Sequence, residues 1–386
     1  MPQRTGHAES MDDTERPPVA GMGQHFPFQP VIIVAQRIAG RLRAGNHRIE
    51  VQFIRRYHAC TFFSIPTPRL ICHQDHMECL MPKTKTPSAT TLVIGAGELG
   101  LAVISGLLEQ NPESAQSISV LLRPPANEAG ERVTRQLEDK GLRIVHGDLA
   151  TETVDGLADI FVRFDTVICC TGFVGGPGTQ RKITSAVLQA GVKRYVPWQF
   201  GVDYDVVGRG SGQEVFDEQS DVRDMLRGQT ATQWVIVSTG MFTSFLFEPA
   251  FGVVDLEHGK VHALGSWDNR LSVTTSDDIG RLTAAILAHE PPIQNEVVYV
   301  VGDTFSYTRL ADMVEHHLGR DVERVLWDMD RLRSEVAAHP DDGMRKYQLA
   351  FARDTGVAWD KAHTFNAAQG IKVTDVPAWL DRRGAA

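Results

Sequence analysis

Thr91-Leu92-Val93-Ile94-Gly95-Ala96-Gly97-Glu98-Leu99-Gly100 is the stretch that decides the fold. A short apolar run ends in Gly-x-Gly-x-x-Gly, and Leu99, Val103, Ile104, Leu107 and Leu108 then recur at helical spacing. A glycine triplet alone is a weak signal, but one that follows a strand and opens a helix is the context a dinucleotide needs. Gly95 permits the tight turn, Gly97 lets the backbone approach a pyrophosphate, and Gly100 lets helix and strand pack closely. The N–H groups at the start of the helix, around Glu98 and Leu99, then meet the phosphate charge. The competing reading is a glycine-rich turn without a ligand, and the strands that follow weigh against it.

Those strands come at regular intervals. Apolar runs occupy Ile118–Leu122, Leu142–Val145, Thr166–Cys170, Lys193–Pro197 and Gln233–Ser238. Between them lie helical patterns around Val133–Asp139 and over Ile183–Ala190, the latter stopped by Gly191. Strands that are nearly all apolar and alternate with helices describe a buried parallel sheet, so the expected fold is a Rossmann-type, doubly wound α/β domain. Its expected span is residues 89–240. Beyond it the pattern loosens, with one more strand at Val297–Val301 and an amphipathic helix at Thr308–Leu318. Residues 241–386 are expected to complete the sheet and form a smaller substrate lobe.

The end of the second strand tells one dinucleotide from another. An NAD site places a carboxylate there to accept from the ribose hydroxyl, whereas this chain has Arg123 and no acid before Glu128. A guanidinium suits the extra phosphate of NADP(H), although Arg123 could also point into solvent. Asp148, ending the third strand, could accept from the adenine amino group or only cap Leu149–Asp155. Thr171 and Gly172 end the fourth strand.

Bulk properties bound the remaining options. The 386 residues carry a net charge of -9, spread unevenly: 11 Lys and Arg against 7 Asp and Glu in residues 1–88, and 28 against 41 in the rest. An acidic body excludes general nucleic-acid binding. No apolar run is long enough to span a membrane. Five cysteines, two of them adjacent at Cys169 and Cys170, suit a reducing compartment, and the cytoplasm is expected. Residues 1–88 are rich in Pro, Arg and His without a sustained period, and read as an unstructured extension, with Met81 a candidate alternative start. Cys72, His73, His76 and Cys79 have ligand types, but no second pair supports zinc, so no metal is expected.

The proton donor is harder to find. None of the six tyrosines has a lysine four residues on, which removes the Tyr-x-x-x-Lys mechanism. Nor is there a Gly-x-Ser-x-Gly elbow or a His-Glu-x-x-His helix.

The stretch Ala190-Gly191-Val192-Lys193-Arg194-Tyr195-Val196-Pro197-Trp198-Gln199-Phe200-Gly201-Val202-Asp203 with the upstream Gln180, the glycine turn, Arg123, Gly147-Asp148 and Asp277-Asp278-Ile279 resembles the NmrA-like and isoflavone reductase-like group of atypical short-chain dehydrogenases, its fungal branch above all. The resemblance spans roughly residues 90–330. It implies an NADPH-dependent oxidoreductase and adds Gln180 to the cofactor contacts. It also implies a catalytic lysine where this chain has Gln219, and Pro-Ser-Glu-Phe-Gly where it has Pro197-Trp198-Gln199-Phe200-Gly201. A glutamine is a poor proton donor.

Two functions follow. In the first, the chain reduces a small aromatic or polyketide-like substrate, in secondary metabolism as the fungal branch implies. Its pocket is expected to hold Trp198, Gln199, Gln219, Met241 and Phe242, with water or Tyr204 supplying the proton. In the second, it is a non-catalytic dinucleotide sensor that reports to a protein partner.

Overall fold

The computed structural model describes residues 89–172 and 176–384. The expected extension over 1–88, the Cys72–Cys79 cluster and Met81 lie outside them. The first half of the described chain alternates strand and helix. In order these are β1 (Thr91–Ile94), α1 (Glu98–Gln110), β2 (Ile118–Leu122), α2 (Glu128–Asp139), β3 (Arg143–His146), α3 (Val154–Phe161) and β4 (Thr166–Cys169). Then come α4 (Thr179–Gln189), β5 (Arg194–Val196), α5 (Tyr204–Val207), α6 (Glu214–Arg227) and β6 (Gln233–Ser238).

The second half is less regular. It holds β7 (Met241–Phe242), α7 (Thr243–Leu246), β8 (Val254–Asp255), β9 (Lys260–Leu264), β10 (Arg270–Thr274) and α8 (Ser276–Leu287). After these follow β11 (Glu296–Tyr299), β12 (Asp303–Ser306), α9 (Tyr307–Leu318) and β13 (Glu323–Trp327), with further helices to residue 384.

Seven strands form one parallel sheet in the order β11-β6-β5-β4-β1-β2-β3. The chain winds outward from β1 in one direction through β2 and β3, then in the other from β4, so the expected doubly wound architecture is present. Such a sheet is covered on both faces, and its side chains alternate accordingly. Leu92 and Ile94 pack against α3 and α4, while Val93 packs beneath α1 and α8. Each is at most 1% exposed, and a fully buried side chain of this kind contributes about 1.5–3 kcal/mol.

Helices α1 and α8 touch through glycine. A Cβ on Gly280 would stand 2.1 Å from the Ala102 carbonyl, and one on Gly106 would stand 2.4 Å from that of Gly280. Any larger residue would force the two backbones apart. This contact seats α8, which comes from the second half of the chain, beside the glycine turn.

The chain leaves the large sheet at β6 and enters a second one at β7 across Thr239 and Gly240. Both N–H groups donate to the Gly201 carbonyl at 3.0 Å. The second sheet is β12-β10-β7 and a third is β13-β9-β8. Their residues, with Tyr204 and Phe216, share a separate apolar cluster. The strand expected at Val297–Val301 is β11 at Glu296–Tyr299, and it pairs with β6 to extend the large sheet.

Candidate functional site

The carboxyl ends of β1, β2 and β4 lie level, because Ile94 pairs with both Leu121 and Cys169. The winding reverses between β1 and β4, and the crevice outside such a switch point is where open α/β sheets bind ligands. Gly95 turns the chain there with φ at +94°, a conformation that favours glycine. Gly100 serves close packing instead, since a Cβ there would lie 2.1 Å from the Gly95 carbonyl. Gly97 does neither. It is exposed, no atom of the described residues stands within 4 Å of a Cβ built on it, and it caps α1 without a side-chain hydrogen bond among them. Among the described residues no side chain caps the start of α1, so the first N–H groups there, at Glu98 and Leu99, lack the side-chain acceptor that an anion would replace.

Arg123 follows β2 directly and is exposed, and its guanidinium makes no ion pair among the described residues. Pro124 and Pro125 separate it from α2, which Asn127 caps by accepting from the Gly130 N–H at 2.9 Å. Asp148 turns out to hold its own turn. Its Oδ1 accepts from the Ala150 N–H at 2.9 Å and its carbonyl accepts from Thr151 and Glu152, while Thr153 caps α3.

Beyond β4, the loop at Thr171-Gly172 is fixed from beneath. The Gln180 Nε2 donates to the Thr171 and Gly172 carbonyls at 3.0 and 2.5 Å. Its Oε1 lies 3.6 Å from the Cys169 Sγ, and burial pushes that thiol up to about 12, so it stays protonated. Gln180 is 2% exposed and spends its amide on the protein, so it braces the Thr171-Gly172 loop. Trp198 closes this side, 3.2 Å from a Cβ built on Gly172.

The terminus of α4 differs from that of α1. The Glu218 carboxylate accepts from the N–H groups of Gly178 and Gln180, each at 2.8 Å, and of Arg181 at 3.2 Å. Sequence reading missed Glu218, which lies about forty residues from the groups it caps.

The substrate-pocket expectation needs correction at three residues. Gln199 and Gln219 are wholly enclosed and Met241 is 3% exposed. The Gln199 Nε2 donates to the Gln219 carbonyl at 2.8 Å, and its Oε1 accepts from the Arg223 Nε at 2.8 Å. Among the described residues the side-chain amide of Gln219 has no hydrogen-bond partner. These residues join α6 to the strand-end loop from within, because the helix packs over them. Trp198 and Phe242 remain part-exposed. Tyr204 is likewise withdrawn as a proton donor: it lies in the lobe core against Phe216, with Arg223 over its ring, and burial pushes its phenol well above the usual value. Arg223, 1% exposed, also pairs with Asp205 at 2.6 Å. Asp278 serves α8, accepting from the Thr374 N–H at 2.7 Å.

A separate cleft of about 380 Å³ is walled by Asp203, Tyr299, Asp354, Trp359, Asp360 and His363. It contains no residue of the glycine turn, so it stands apart from the crevice at the switch point. Among the described residues no helix is long and apolar enough to cross a membrane, and no cluster of His, Cys, Asp or Glu is placed to hold a metal.

Known proteins agree with this geometry. The model of the NmrA-like family matches residues 87–354. An NmrA-like family domain-containing oxidoreductase of Gibberella moniliformis is 45% identical over 299 residues, covering 76% of this chain and 97% of the relative. Phenylcoumaran benzylic ether reductase Betv6 of Betula pendula is 23% identical over 66% of this chain and 82% of its own length. Among solved structures, isoflavone reductase superposes with a TM-score of 0.63 at 19% identity, over 76% of this chain and 99% of that one. AtPrR2 with NADP+ and (+)pinoresinol gives 0.62 at 19% identity, over 76% and 98%. By the span of the family match and the identity to its fungal relative, the chain belongs to the NmrA-like family.

Proposed function

We propose that the chain is an NADPH-dependent oxidoreductase acting on a small aromatic or polyketide-like molecule, in keeping with a role in secondary metabolism. The observation that carries this reading is the uncapped start of α1 beside the open Gly97, with Arg123 one strand away. There the α1 N–H groups bind the pyrophosphate and Arg123 takes the 2′-phosphate by charge-assisted hydrogen bonds. The Thr171-Gly172 loop, braced by Gln180, and the indole of Trp198 border the nicotinamide half. Bound NADPH supplies a hydride. Trp198 and Phe242 offer apolar surface to a flat substrate, and solvent water gives the proton, since Tyr204 and Gln219 are enclosed. The fungal relative's description as an oxidoreductase and the NADP+ held by AtPrR2 support the same reading.

A second reading, a dinucleotide sensor acting through a protein partner, is favoured by one observation: Gln219 brings no ionisable group to the position of the family's lysine. One experiment separates the two. NADPH and NADP+ are titrated by cofactor fluorescence, and NADPH oxidation is then followed with a panel of aromatic ketones, enones and quinones. Turnover on any of them supports the oxidoreductase. Tight binding that discriminates between redox forms, with no turnover on the panel, supports the sensor.

A further inference from the structure

Glu98 poses a problem for the cofactor site. It is the first residue of α1, its carboxylate is exposed, and a doubly charged pyrophosphate is to settle on that same turn. A free carboxylate there would repel the ligand. The structure shows where the charge goes. The Ser276 Oγ, at the start of α8, donates to the Glu98 Oε1 at 2.8 Å, and the Ser244 Oγ in α7 donates to Oε2 at 3.3 Å. Both serines come from the second half of the chain, and both oxygens of the carboxylate are engaged. The seat is fixed by backbone, because the Gly106–Gly280 contact sets α8 against α1.

We infer that Glu98 is a positioning residue whose charge is parked on Ser244 and Ser276, turned away from the phosphate cradle at Gly97. The same hydrogen bonds tie the cradle to the segment that carries Phe242, two residues before Ser244. The two serines thus act on cofactor affinity without touching the cofactor. Once they are removed, the carboxylate is free to sample the space over the N–H groups of α1, where it competes with the phosphate for the same donors.

This inference rests on the dinucleotide reading above, and a mutant cycle tests it on the full chain with NADPH as the probe. S244A/S276A is expected to bind NADPH about threefold to tenfold more weakly than wild type. E98Q alone is the reference for the cycle. The triple variant S244A/S276A/E98Q is expected to bind NADPH within about twofold of E98Q. The loss in S244A/S276A is also expected to shrink in 1 M salt, which a merely structural role would not produce. Should the paired serines prove too disruptive, as judged by melting temperature, S276A alone carries the same cycle. Unchanged affinity without the serines, or a loss that persists in the E98Q background, overturns the inference. If wild type itself has no affinity for NADPH, the dinucleotide reading fails as well, so the two failures are distinct.

Discussion

The helices α1 and α4 each begin at the carboxyl edge of the parallel sheet, on either side of the point where the winding reverses, and their termini have opposite fates. That of α4 is filled: Glu218 supplies a carboxylate to three of its N–H groups. That of α1, among the described residues, is left without a side-chain cap and beside a glycine with open space around it. Both ends carry the same partial positive charge, so the fold had two places to receive an anion. It satisfies one internally and leaves the other open, at the place proposed above for the cofactor phosphate. Even the acid that the sequence places at the start of α1, Glu98, is held by two serines.

The contrast can be broken most forcefully at Gly100. A Gly100→Val substitution drives a side chain into the Gly95 carbonyl, 2.1 Å from where its Cβ must lie. It is expected to abolish soluble, folded protein or to lower the melting temperature by more than about 10 °C, by forcing α1 off β1. Calorimetry checks this, and a wild-type melting curve would show that the strand–helix approach is not what Gly100 serves.

Opening the closed terminus is the next step down. Glu218→Ala strips three N–H groups of their acceptor and is expected to cost about 1–3 kcal/mol in urea unfolding. NADPH affinity should stay within about twofold, since α4 is not the phosphate site. A large loss of affinity with unchanged stability would reverse the roles assigned to the two helices.

Arg123→Ala sharpens the comparison at the open terminus. It should weaken NADPH by about tenfold and leave NADH nearly unchanged, because only the former has a 2′-phosphate. Equal losses for both would place Arg123 elsewhere.

The smallest effect concerns the opposite, amino edge of the sheet, where a carboxylate is again spent on the protein. Asp165 accepts from Thr90, and its hydrogen bond with Lys193 is the leading cause that holds it near 2, below the usual 3.8. A carboxyl lowered on folding adds stability above its unfolded value and loses it as pH falls towards 2. Asp165→Asn is therefore expected to flatten the decline in stability between pH 4 and 2 by a few tenths of a kcal/mol, since Lys193 is exposed. An unchanged acid limb in the variant would exclude this pair as a contributor.

The sheet was legible in the sequence because its strands are continuous apolar runs bounded by turns. The readings at Thr91–Ile94, Ile118–Leu122 and Gln233–Ser238 match β1, β2 and β6 residue for residue. The lobe was legible only in part: the reading at Thr308–Leu318 matches α9 to within one residue, but its strands were missed. Strands such as Met241–Phe242 and Val254–Asp255 have two residues each, too few for a period, and Met241–Phe242 pairs with a segment far along the chain. The site divides in the same way. Gly95 and Gly100 act through local backbone, and the roles proposed for Gly97 and Arg123 rest on helix-start and strand-end position, all of which sequence records. Gln180, Gln199, Gln219 and Tyr204 have side chains suited to a ligand, but tertiary packing encloses them. Glu218 acts on N–H groups about forty residues away, and Ser276 reaches Glu98 across 178, so no local pattern announces either.

The most direct test of the open terminus is NADPH titration of Gly97→Trp beside wild type, with melting curves for both. Gly97 has an ordinary backbone conformation and free space around its Cβ, so the indole should be accommodated at little cost to stability. The account predicts saturable NADPH binding by wild type and a loss of at least about a hundredfold in the variant, with melting temperatures within about 3 °C of each other. A variant that binds NADPH as well as wild type, or a folded wild type that binds no nicotinamide nucleotide, would contradict it.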